Sequence, residues 1–129
     1  GQEMVFGEKF KKDKIISDGK LAIDIFISEL DKIFILKKIP IIIIVDAIRP
    51  QIYESENSKN TTSYILNNYM IKKSLESQFI VINLNKIFTD NYKKNRKKFE
   101  FKIDIHWNDF ANQIVADELI KLDIFKNFN

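Results

Sequence analysis

The chain contains one histidine, and it stands two positions after an aspartate in the run Asp104-Ile105-His106-Trp107-Asn108. Imidazole is the side chain best suited to take and return a proton near neutral pH, so His106 is the natural candidate for a general base. In an extended backbone, positions i and i+2 project from the same side. Asp104 is therefore placed to accept a hydrogen bond from Nδ1–H of His106. That bond would fix the tautomer, leave Nε2 free and stabilise the imidazolium that forms. An exposed histidine beside an incidental carboxylate has the same spacing. Asn108 suits the N-cap of a following helix, whose packing would anchor the pair.

The other residue types narrow the chemistry. There is no cysteine, which excludes a disulfide framework and a thiolate site. One histidine and scattered carboxylates make a poor transition-metal site, so neither metal nor cofactor is expected. Ser17 lies between Lys14-Ile15-Ile16 and Asp18-Gly19. Its surroundings fit either a strand–turn–helix nucleophile or a plain helix N-cap.

The elements that must position these groups are legible in the hydrophobic pattern. Ile23, Phe26, Ile27, Leu30, Ile33 and Phe34 form one helical face between Gly19 and Lys38, with Ser17 or Asp18 as N-cap. Pro40 opens Ile41-Ile42-Ile43-Ile44-Val45, which reads as a strand covered on both faces. Residues 49–62 read as a polar loop, and a second helix is expected over 63–76. Phe79-Ile80-Val81-Ile82 reads as a second buried strand. Residues 85–98 are polar and basic, ending in Lys93, Lys94, Arg96, Lys97 and Lys98. A short strand is expected at 99–103 and a last helix from Asn108 to about Leu122.

This order predicts an α/β fold: a three-layer α/β/α sandwich with a mainly parallel, flavodoxin-like sheet. Sites in such sheets gather at the carboxyl ends of the strands, which would bring Asp46, Arg49, Asn83, Asn85 and residues 104–108 to one rim. The length of 129 residues suits a single domain over 1–129 or the C-terminal portion of a larger one. Three glycines and two prolines imply few tight turns. No apolar run approaches the ~18 residues of a membrane span. Gly1-Gln2-Glu3-Met4 has no signal-peptide character and reads as the edge of a longer chain.

Asp104-Ile105-His106-Trp107-Asn108, followed by Asn112-Gln113-Ile114-Val115-Ala116-Asp117-Glu118-Leu119, resembles the closing block of SGNH/GDSL-type hydrolases. It is most similar to the D-x-H-W-N variant of the branch related to alginate O-acetyltransferases. The run Ile39–Tyr53 and the run Phe79–Leu84 are similar to the strands that precede that block. The likeness spans about residues 20–122, and the closing block is its specific part. Ala111-Asn112 departs from the Gly-His common in the family, and the family's early G-D-S and G-x-N-D blocks are absent here.

The resemblance implies a serine esterase or O-acyltransferase portion. His106 would be the general base and then the acid, Asp104 would orient it, and the serine would come from a missing N-terminal half in cis or from another chain. The substrate would be an ester or an acylated small molecule or carbohydrate. Arg49 could bind an anionic substrate group or be a solvated loop arginine. Trp107 could wall the acyl pocket or plug the space under the last helix. The alternatives are a non-catalytic, degenerate binding or assembly module, and a basic polyanion-binding module built on Lys93–Lys98. Few aromatic residues interleave that cluster, which argues against nucleic acid. Loss of upstream strands would expose a sheet edge through which copies of the chain could associate.

Overall fold

The computed structural model describes residues 2–54 and 61–126, with side chains from residue 7 onward. The elements run α1 (Gln2–Lys37), β1 (Ile42–Val45), α2 (Arg49–Glu54), α3 (Thr62–Glu76), β2 (Ile80–Asn83), α4 (Leu84–Asn95), β3 (Glu100–Phe101), β4 (Asp104–Trp107), α5 (Asp109–Ile120) and α6 (Asp123–Lys126). The fold is mostly helical, with two small sheets of two strands each. The expected three-layer α/β/α sandwich with a mainly parallel sheet is therefore not what the chain forms. Only β1 and β2 pair in parallel, from Ile42 opposite Ile80 to Val45 opposite Asn83.

The reason lies in the segment after β2. Residues 85–98, read only as a polar and basic stretch, are largely the helix α4, whose inward face carries Leu84 and Phe88. The strand expected at 99–103 never reaches the parallel pair. Phe99 is drawn into the core, and the chain reverses at Lys102–Ile103 so that β3 pairs antiparallel with β4. Nor is β1 buried on both faces, because Ile44 is exposed and Ile42 and Ile43 are only half-buried.

Helix α1 also differs from expectation. It runs 36 residues, so Ser17 and Asp18 lie inside it rather than at its start, and Asp18 pairs with Lys14 one turn away at 3.1 Å. Gly19 sits within the helix where α3 comes closest: a Cβ there would lie 2.7 Å from Cδ1 of Leu66. The absent side chain admits α3, and that contact offsets the ~1 kcal/mol a mid-helix glycine costs. No described helix is long and apolar enough to cross a membrane.

The connection from β1 to β2 passes through α2 and α3, as a parallel pair requires. Pro50 sits in the first turn of α2, where its missing N–H costs nothing. Residues 55–60, part of the stretch read as a loop, lie outside the described residues. Thr61 then caps α3, its hydroxyl accepting from Tyr64 N at 3.2 Å. With so few glycines, three helix ends are turned by other residues in the left-handed region: Lys38 (φ 52°), Gln78 (φ 62°) and Arg96 (φ 54°).

The core that carries the β3–β4 hairpin is an aromatic stack. Phe99 packs on Phe88 with ring centroids 4.1 Å apart and planes 13° from parallel. Phe110 follows at 5.7 Å on Phe99, and Tyr53 stacks at 6.3 Å. Phe88 and Phe99 are fully buried, joined by Ile52, Ile82, Ile114 and Val115. Three helices, α2, α4 and α5, thus converge on one ring. Truncating Phe99 to Ala should cost about 3–5 kcal/mol, read as a lower urea midpoint; a loss under ~1 kcal/mol would show that the stack does not hold the hairpin. Gln78→Gly relieves a left-handed residue whose side chain is exposed, and the thermal midpoint should rise by the equivalent of up to about 1 kcal/mol.

Candidate active site

The hairpin register explains how Asp104 and His106 meet. Phe101 pairs with Asp104, but Glu100 pairs with Trp107, so Ile105 and His106 have no partners of their own on β3. They form a bulge, a device that re-aims side chains at sheet margins. The carboxylate of Asp104 closes this bulge on itself. Its Oδ1 accepts the backbone N–H of His106 at 3.0 Å, an Asx-turn, and the same oxygen lies 2.5 Å from Nδ1 of the ring.

The proton's place follows from this contact. Both hydrogen bonds from residue 106, with the backbone donor foremost, hold the carboxyl of Asp104 below the usual carboxylate range. It is therefore ionised at neutral pH and can only accept. Nδ1 is then the donor in this contact, which leaves Nε2 as the ring nitrogen not bound to Asp104. The ring stands in the open, its side chain 80% exposed.

Three further side chains hold the bulge. Arg49, at the start of α2, donates from Nη1 to the carbonyl of Ile105 at 2.8 Å and to Oε2 of Glu100 at 3.3 Å, while Nη2 lies 3.5 Å from Oδ2 of Asp46. Its side chain is only 16% exposed. Tyr53 donates to the same Glu100 oxygen at 2.6 Å and accepts from Phe99 N at 3.0 Å. Burial first, and the Glu100 carboxylate second, push the Tyr53 phenol up, which keeps it a donor. Asn108 caps α5 through Oδ1 to Ala111 N at 3.0 Å, and its amide donates to the carbonyls of Lys98 and Glu100 at 2.9 and 3.1 Å.

Asp46, Arg49, Ile105, His106, Trp107 and Asn112 line an open depression of about 440 Å³. Trp107 Nε1 donates to Oδ1 of Asp46 at 3.1 Å, and its ring meets Phe88 edge-on at 6.4 Å. Asp46, Arg49, Asp104, His106 and Trp107 are thus brought together. Asp104 and His106 touch, Trp107 both walls the depression and plugs toward the core, and Arg49 reaches the rim with its guanidinium committed to two carboxylates and a carbonyl. Asn85 accepts from Ile48 N at 3.3 Å, while Asn83 and Asn85 line a separate hollow with Lys86 and Lys93. Ser17 is exposed on α1, away from any turn. No serine lines the depression among the described residues.

The residues that pattern reading passed over are Tyr53 and Glu100, whose spacing carries no local signal because they lie 47 positions apart. Comparison of the chain with protein-family models, with curated proteins and with solved structures finds no match.

Linkage gives the pH dependence its sign. A carboxyl whose folded value is lowered contributes stability that is present above its unfolded value and is lost as pH falls through the lowered one. Carbon-detected NMR titration should therefore place the Asp104 midpoint below that of an exposed aspartate. In His106→Ala it should recover only part of the difference, because the backbone donor, the larger cause, remains. Full recovery in that variant, or an ordinary midpoint in the unsubstituted protein, would rule out the Asx-turn.

Proposed function

We propose that this chain is a portion of an SGNH-like serine esterase or O-acyltransferase, and that it supplies the Asp104–His106 acid–base pair to a serine carried by another segment or chain. The observation that supports this reading is the pair itself: an ionised carboxylate bound to Nδ1, an exposed Nε2, and a ring aimed from a bulge beside an open depression. The substrate is an ester or an acylated small molecule, carbohydrate esters included. Nε2 takes the proton of the attacking hydroxyl and returns it to the departing oxygen. Asp104 orients the ring and stabilises the imidazolium between those steps. Arg49 serves the site by fixing the Ile105 carbonyl, one peptide before the catalytic ring.

A non-catalytic module is the competing reading, favoured by the lack of a nucleophile in the depression among the described residues. One experiment separates the two. In the natural polypeptide or complex containing this segment, a fluorophosphonate probe should label a serine. His106→Ala should abolish the labelling, and Asp104→Asn should slow it by roughly 10²–10⁴-fold, the range general acid–base assistance is worth. Labelling that survives His106→Ala unchanged would remove His106 from the mechanism, and no labelling at all would leave the non-catalytic module.

A further inference from the structure

The β3–β4 hairpin presents a second surface beside the acid–base pair, with Asp104 and Ile105 at the border between them. Its turn and strands expose Ile103 at 99%, Ile105 at 78% and Phe101. These are large apolar side chains on a projecting tip, where an unpartnered cluster marks an interaction site. With Phe110 they face an open hollow of about 890 Å³ whose rim carries Lys97, Lys98 and Lys102.

The charge is concentrated here. Residues 93–102 hold six Lys or Arg and one Glu, a net +5, whereas the whole chain carries +3. Two carboxylates also line the hollow, and both are engaged: Glu100 is bonded to Arg49 and Tyr53, and Asp104 to His106. Lys97 and Lys98 lie with Nζ 5.6 Å and 5.1 Å from the ring centroids of Phe110 and Tyr53. None of Lys97, Lys98 and Lys102 forms an ion pair among the described residues. An aliphatic knob ringed by uncompensated lysines on flexible stems is complementary to one environment: an interface whose interior is apolar and whose surface is anionic.

We infer that the hairpin tip docks on an anionic lipid surface, with Ile103 and Ile105 entering the headgroup–acyl boundary and Lys97, Lys98 and Lys102 meeting the phosphates. Two observations favour lipid over other polyanions or a protein groove. The exposed tip is chiefly aliphatic, whereas single-stranded nucleic acid is gripped by free aromatic faces, and here the neighbouring rings of Phe110 and Tyr53 already carry lysines. A tip as exposed as Ile103 needs no matching pocket at a fluid interface. Asp104 and His106 belong to the same strand, so docking would set the imidazole beside the interface. The inference does not depend on the acid–base reading, since membrane binding is measured without any catalytic step.

The test is flotation of the protein with phosphatidylcholine vesicles and with vesicles that also contain phosphatidylglycerol. Binding is expected to the anionic vesicles only and to weaken as salt rises. Each lysine near the surface is worth about fivefold in partition, so the triple Lys97→Gln/Lys98→Gln/Lys102→Gln protein should bind about 100-fold more weakly. Ile103→Ser/Ile105→Ser should lose binding at all salt concentrations. These side chains are exposed, so circular dichroism should be unchanged. In Ile103→Trp, anionic vesicles should shift the added emission to the blue. Equal binding to neutral vesicles, no binding, or binding indifferent to either set of substitutions overturns the inference. So does a dimer dissolved by the Ser pair, or RNA binding that needs the same residues while vesicles are ignored.

Discussion

At the bulge in β4, the peptide between Ile105 and His106 has no pairing partner on β3, and side chains replace the missing ladder. Arg49 bonds the Ile105 carbonyl, and Asp104 bonds the His106 amide. A backbone pair left without partners costs roughly what a lost hydrogen bond costs, so these contacts decide whether the bulge exists at all. Arg49 can serve because it is nearly buried between Asp46 and Glu100, which compensate its charge. Glu100 in turn is kept in place by Tyr53, a phenol that burial holds in its donating form. The orientation of one imidazole thus depends on residues from β1's end, α2 and β3.

Rigidity reaches the site from below. Phe99 is the last residue before β3 and the centre of the aromatic stack, so the hairpin's base is fixed by close packing on Phe88 and Phe110. Asn108 closes the other end, capping α5 while holding the carbonyls on either side of Phe99. A ring supported in this way can be well aimed and still fully open to solvent. His106 is supported through its own backbone and Nδ1, and its side chain lines an open depression.

Several local features were legible because their causes are local. The face formed by Ile23, Phe26, Ile27 and Leu30 marked a helix, and the branched runs at 41–45 and 79–82 marked the two strands that do pair. Asn108 was recognisable as a cap. The Asp104–His106 contact was anticipated, although the pleat argument was only part of the reason. The side chains meet through an Asx-turn at a bulge rather than through regular alternation. The start of α1 was misplaced because Ser17 and Gly19 resemble a boundary, while their real context is the approach of Leu66 from α3.

By its residue types alone, the sequence determined where its one imidazole and a neighbouring carboxylate stand, three of the helical segments and which two runs could form a ladder, since those depend on side-chain chemistry and short-range periodicity. The number of strands in each sheet, the reversal at Lys102–Ile103 and the burial of Arg49 were decided only in three dimensions. Each turns on competition between distant partners. Phe99 is buried in a stack with Phe88, Phe110 and Tyr53, which holds the start of β3 away from the parallel pair. Arg49 finds its carbonyl and its second carboxylate more than fifty residues away, a pairing that no local pattern encodes.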